Sequence, residues 1–270
     1  MLPPIQIFDR IITGYGIAVA VGLIVCLFYI MRQSKRIYGT DGDILLITAI
    51  AGGAAVFFSH LLFGIISLLT YGGFPTITSF DGFLRFLNDF FGGSVFFGGL
   101  IGGAVAVFIT LKIMKFPWYP AVDLITTVVP LFHFFGRVGC FLGGCCYGIP
   151  SRFGFTFSHS IVESANGVNR FPVQLLEASF NLLLFFALYR LFRGEKLCGR
   201  LFFLYLACYS PARFLLEFLR GDSYRGLFAL GDTGVMLSTS QIISVFTLAV
   251  GIIGLIVTKN TVIKNQRNRN

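Results

Sequence analysis

The stretch His133-Phe134-Phe135-Gly136-Arg137-Val138-Gly139-Cys140-Phe141-Leu142-Gly143-Gly144-Cys145-Cys146-Tyr147-Gly148 follows an apolar run from Leu124 to Phe135. That run reads as a membrane helix, and Arg137 stands where it runs out. Behind the arginine, four glycines and three cysteines replace the large aliphatic residues that a continuing helix would carry. Ionisable groups at membrane depth are rare and usually face a protein interior or a water-filled cavity. Broken backbone is tolerated there only where protein covers it or a cavity adjoins it. The stretch therefore reads as a site inside a helical membrane protein, with a break after Phe135.

The rest of the chain agrees with that class. Of its 270 residues, 56% are hydrophobic and only 12% charged, with 33 Phe; soluble domains carry about a quarter charged residues. The net charge of +9 is scattered between apolar spans rather than gathered on one face, which excludes a nucleic-acid binder. The six cysteines form no secreted disulfide pattern, and Cys26 and Cys208 lie in expected spans as small packing residues. No cleavable signal is evident at the amino end, and no repeat or soluble domain interrupts the chain.

Seven spans are expected, each near the ~20 residues that a bilayer needs: 11–31, 44–70, 96–114, 121–135, 173–192, 201–219 and 242–257. The fold class is an all-α integral membrane protein forming a single transmembrane domain, 1–270. Pro130 should kink the short fourth span. Residues 81–91 alternate apolar and charged groups at helical spacing and suit an interfacial helix. The residues after Lys259 read as a loose polar tail. With the amino terminus outside, 13 of the 21 basic residues and every lysine fall in inside segments, as the positive-inside rule expects, and the carboxyl terminus is cytoplasmic.

The eight remaining basic residues are all arginines: Arg10, Arg85, Arg137, Arg152, Arg170, Arg213, Arg220 and Arg225. A guanidinium binds phosphate through a planar fork that lysine lacks, so a phosphate task competes with simple ion pairing to Glu163, Glu217 and Asp222. Arg213, Glu217 and Arg220 share a helix face. A neutral Arg–Glu pair could be structural there, whereas an additional unpaired arginine favours an anion site. His133, Arg137 and Cys140 form another stripe if the helix persists. An arginine would favour the Cys140 thiolate and His133 could take its proton; the alternative is a core histidine and a small turn residue. Cys145-Cys146 lacks the Cys-x-x-Cys spacing of zinc sites, so no metal is expected. The pair packs, or forms a disulfide if it faces an oxidising side. Asp123 suits a helix start. Gly98, Gly99, Gly102 and Gly103 permit close helix contact or approach of backbone to a lipid headgroup. Gln174 and Glu177 are polar groups in need of partners.

Taken in order, these pieces resemble the bacterial prolipoprotein diacylglyceryl transferase family, as a divergent, cysteine-rich branch. The carriers are Tyr15-Gly16, Gly98 to Gly102, Asp123, Gly136-Arg137, Gly139, Phe141, Pro172, Gln174 through Glu177, Tyr209, Arg213, Glu217, Arg220, Gln241 and Ser244. The resemblance implies a multi-pass enzyme of the bacterial cytoplasmic (inner) membrane without a cofactor. It would move a diacylglyceryl group from phosphatidylglycerol to a prolipoprotein cysteine, releasing glycerol-1-phosphate. On that likeness Arg137 and Arg213 are catalytic, with His133 and Cys140 as relocated base and thiol. Tyr15, Gly98, Gly99, Gln174, Tyr209, Glu217 and Arg220 would bind the phospholipid. The alternatives are a different acceptor, or lipid binding without chemistry. The departures are specific: Phe97 and Phe171 stand where the family carries histidines, and Cys140, Gly143 and Cys145 replace two Asn and a Glu.

Overall fold

In lipid an apolar run has no water to satisfy its backbone, so it must bond within itself as a helix. The computed structural model describes residues 5–7, 10–38, 42–71, 79–93, 95–160, 162–222, 227–229 and 236–267. Its helices are α1 (Gly14–Tyr38), α2 (Gly42–Tyr71), α3 (Phe80–Phe91), α4 (Phe96–Ile113), α5 (Trp118–Gly143), α6 (Val173–Arg193), α7 (Leu201–Leu216) and α8 (Thr239–Arg267). Arg225, Arg269 and the end of the expected tail, 268–270, lie outside the described residues. Among those described, α1, α2, α5, α6, α7 and α8 are long and apolar enough to cross a membrane, and α4 offers the shorter apolar helix Ile101–Ile113. The connections add three small antiparallel pairs that an all-helical reading omits: β1 (Ile5–Ile7) with β2 (Arg10–Ile12), β3 (Pro150–Thr156) with β4 (Asn169–Arg170), and β5 (Leu227–Ala229) with β6 (Met236–Ser238).

The chain divides into two compact units, residues 1–30 with 122–270, and residues 31–121. In the second unit α4 lays its glycines on α2. A Cβ on Gly98 would run into the Phe58 carbonyl, and one on Gly99 would lie 3.1 Å from the Ala55 carbonyl. Of the two readings of this glycine pattern, close helix contact is the one seen. The Ser79 hydroxyl caps α3, accepting from the Gly82 amide at 3.1 Å.

In the first unit α5 corrects the expected break. The helix passes Phe135, Gly136, Arg137 and Gly139 and ends at Gly143, because α1 packs tightly along it. A Cβ on Gly139 would sit 3.1 Å from the Tyr15 ring, Gly22 receives Phe135, and Gly14 receives Leu142. These glycines serve helix approach, so Arg137 lies within a helix and its backbone bonds are kept. The buried residues Cys26, Leu131 and Phe185 join α1, α5 and α6, while Leu184, Leu188, Leu201 and Tyr205 join α6 to α7. Asp123 does not sit at its own helix start. Its Oδ2 accepts from the Gly199 amide at 2.5 Å and its Oδ1 from the Leu201 amide at 3.2 Å, capping α7.

Candidate functional site

Three helices present polar stripes at the spacing that puts residues on one face: His133, Arg137 and Cys140 on α5; Gln174, Glu177 and Asn181 on α6; Tyr205, Tyr209 and Arg213 on α7. Gln174, Glu177 and Asn181 are no more than 2% exposed. Buried polar groups need partners, and the stripes supply them to one another.

Glu177 is the meeting point. Its Oε1 accepts from the Tyr209 hydroxyl at 2.8 Å, its Oε2 pairs with Arg137 Nε at 3.1 Å, and His133 Nε2 lies 3.6 Å away. Arg137 Nε also donates to His133 Nε2 at 3.3 Å. That bond assigns the imidazole proton to Nδ1. The Tyr209 ring lies 5.2 Å from the His133 ring and stacks on Tyr205. Both Arg137 and Arg213 act electrostatically on Glu177 and on His133. Arg137 pairs with this carboxylate directly, whereas Arg213 acts on it only at longer range, its own ion pair being with Glu217.

Arg213 Nη2 pairs with Glu217 Oε2 at 2.7 Å and donates to Ser240 Oγ of α8 at 3.0 Å. Its Nη1 is buried and has no hydrogen-bond partner among the described residues. Arg137 spends only Nε on its contacts, so its terminal nitrogens are uncommitted among those residues. Arg220 corrects an expectation. It is not the unpaired member of its helix face: Asp222 accepts from both its Nε and its Nη2, and Glu217 lies 3.8 Å from its Nη1. Arg170 is also fully engaged elsewhere. It donates to the carbonyls of Ser164, Ala165 and Gly148 and covers the Tyr147 ring at 4.1 Å. Arg85 and Arg152 are exposed.

The end of α5 explains the cysteines. The Cys145 amide donates to the Cys140 carbonyl at 3.1 Å and the Gly144 amide to the Phe141 carbonyl at 3.3 Å. With Gly144 at φ +75°, this is a Schellman motif, which brings the side chains of its third-last and second-outside residues together. Here those residues are Cys140 and Cys145. Cys146 then takes φ +52°, a left-handed conformation uncommon for a side-chain-bearing residue, and its sulfur joins the other two. The three Sγ atoms lie within 4.8 Å of one another, each half-buried. Gln174 Nε2 fixes the turn by donating to the Cys145 carbonyl at 2.9 Å. Outside the helix, the contacts among the three thiols push Cys146 down and Cys145 up. All six cysteines are free thiols.

Of the residues expected at a site, Arg137, His133 and Tyr209 meet at Glu177; Arg213 and Arg220 meet at Glu217; Gln174 and Cys140 meet at the thiol turn; and Tyr15 lies against Gly139. Gly98 and Gly99 pack α4 on α2 within their own unit. Sequence reasoning did not foresee Glu177 as the hub or Ser240 as a partner. The i, i+3 spacing of Gln174 and Glu177 in an apolar helix was the available signal for the first.

The sequence profile described as prolipoprotein diacylglyceryl transferase matches residues 4–257. The chain is 35% identical over 251 residues to a phosphatidylglycerol–prolipoprotein diacylglyceryl transferase of Clostridium tetani, covering 92% of this chain and 93% of that one. It is 32% identical over 255 residues to a phosphatidylglycerol–prolipoprotein diacylglyceryl transferase 2 of Clostridium perfringens (92% and 91% covered), and 30% identical over 253 residues to a phosphatidylglycerol–prolipoprotein diacylglyceryl transferase of Dehalococcoides mccartyi (92% and 89%).

Proposed function

The chain belongs to the prolipoprotein diacylglyceryl transferase family, and on that premise we propose that it transfers the diacylglyceryl group of phosphatidylglycerol to a prolipoprotein cysteine, releasing glycerol-1-phosphate. The observation that carries the reading is the donor set left uncommitted on α5 and α7, the terminal nitrogens of Arg137 and the buried Nη1 of Arg213. A phosphodiester between those groups would meet planar, bidentate donors. As the carbon–oxygen bond breaks, charge grows on the departing glycerol phosphate, and fixed guanidinium groups in a dry site stabilise that charge most. Glu177 and Glu217 hold the two arginines in place, Tyr209 and Gln174 orient groups beside them, and Tyr15 would contact the lipid. No cofactor enters this reading, which treats the chain as one transmembrane domain.

The same reading takes α4 as a seventh span, the amino terminus as external, the carboxyl terminus as cytoplasmic, and the bacterial inner membrane as the location. Support for the orientation comes from the lysines, all in segments that it puts inside.

Purified protein, labelled phosphatidylglycerol and a lipobox peptide test the proposal. The expected products are a labelled thioether peptide and glycerol-1-phosphate, with Arg137→Lys slowing transfer on the order of 100-fold. Saturable lipid binding without any labelled peptide would overturn it.

A further inference from the structure

Cys140, Cys145 and Cys146 are not needed to grip a phosphate, yet the fold spends a Schellman turn and a left-handed residue on bringing them together. Their sulfurs lie within 4.8 Å of one another. Three thiolates around a tetrahedral zinc, with bonds of about 2.3 Å, stand roughly 3.8 Å apart, so the cluster is close to that geometry before any ion is added. Three soft sulfur ligands select zinc or copper(I) over magnesium or calcium. Structural zinc sites close with four protein ligands, whereas catalytic ones use three and keep a position open. Here a fourth His, Cys, Asp or Glu ligand is absent from the cluster among the described residues, and all three cysteines are half-buried, reachable from outside.

Resting on the transferase reading above, we propose that Cys140, Cys145 and Cys146 form a three-thiolate zinc site whose open fourth position takes the acceptor cysteine of the prolipoprotein. A thiol that coordinates zinc is deprotonated, and the proton passes to water, as metal binding to thiols releases protons. The bound sulfur then uses one electron pair to form a bond to the glyceryl methylene carbon. The carbon–oxygen bond to phosphate breaks, its electron pair leaving with glycerol-1-phosphate. Nothing is oxidised or reduced. The neutral thioether is a weaker ligand and yields its place to water. Arg137 stands three residues before Cys140 on one face of α5, and its charge offsets part of that of a zinc with three or four thiolates. Arg137 therefore stands between the phosphate site and the thiol turn, on the same stripe of α5 as Cys140.

The test uses the full chain in detergent. Titration with zinc alone should show one tightly bound ion, and each of Cys140→Ser, Cys145→Ser and Cys146→Ser should weaken it by more than the roughly 10–100-fold that losing an outer-shell partner costs. Cys26→Ser, Cys198→Ser and Cys208→Ser should leave it unchanged. A second measurement needs no variant: with cobalt(II) in place of zinc, the spectrum should show tetrahedral thiolate ligation. It should then shift when a lipobox peptide is added, but not with the same peptide carrying serine for cysteine. Zinc binding unaltered in Cys145→Ser, or no binding at all, overturns the site. A cobalt spectrum indifferent to the peptide overturns the open position. Chelated protein that transfers lipid at an undiminished rate overturns the zinc role and leaves the transferase reading standing. Failure to transfer with and without zinc sinks that reading, and the cobalt spectrum still decides the site.

Discussion

The family resemblance makes His133 a relocated base, yet its Nε2 accepts from Arg137 Nε and lies beside Glu177. A ring used this way holds the guanidinium still, and a base must instead offer a lone pair to the reacting proton. The two roles separate on substitution. Gln presents a carbonyl that can accept from Arg137, so His133→Gln should keep transfer within several-fold of the native rate, while His133→Ala should lower it further. General-base catalysis contributes about 100- to 10,000-fold, so a loss of that size in His133→Gln would assign the base role after all. The check is the rate of labelled-peptide formation across pH for both variants.

At the scale of the element, the outcome turns on α5. Its glycines read in the sequence as a place where a helix stops, because Gly is a poor helix former and Gly136, Gly139 and Gly143 stand close together. Against α1 they are the reverse, since without side chains the helices approach until Tyr15 and Ala18 touch the Gly139 position. Propensity is a local preference and tertiary contact overrides it. Overfilling a packed position typically costs 1–3 kcal/mol, so Gly139→Leu should lower the thermal midpoint in detergent and disturb the neighbouring Arg137 and Cys140. Gly136, with open space where a Cβ would go, should tolerate Ala. An equal response of both positions would show that α1 does not set the fit.

For the molecule as a whole, the proposed orientation puts Cys198 on the cytoplasmic side. Cys198 is exposed. Partial burial first, then the charges of Asp123 and Glu195, raise its thiol, so a membrane-impermeant maleimide should be used at mildly alkaline pH. Mass-spectrometric mapping should find Cys198 modified only after permeabilisation; modification in intact cells would reverse the topology. Much of this architecture was legible from composition and span length, because lipid leaves a chain few options. The Arg213–Glu217–Arg220 face was legible too, being local. What spacing could not reveal was pairing across helices: Glu177 reaching Arg137, Asp222 claiming Arg220, and three sulfurs gathered by backbone angles. Those depend on which faces meet.

Arg170 carries one last implication. By tying the Ser164 and Ala165 carbonyls to Gly148 and lying on Tyr147, it rivets the surface hairpin to the strip of chain that leaves the thiol turn. Trimming or swapping that hairpin, ordinarily a harmless piece of loop surgery, would tug directly on the sulfurs.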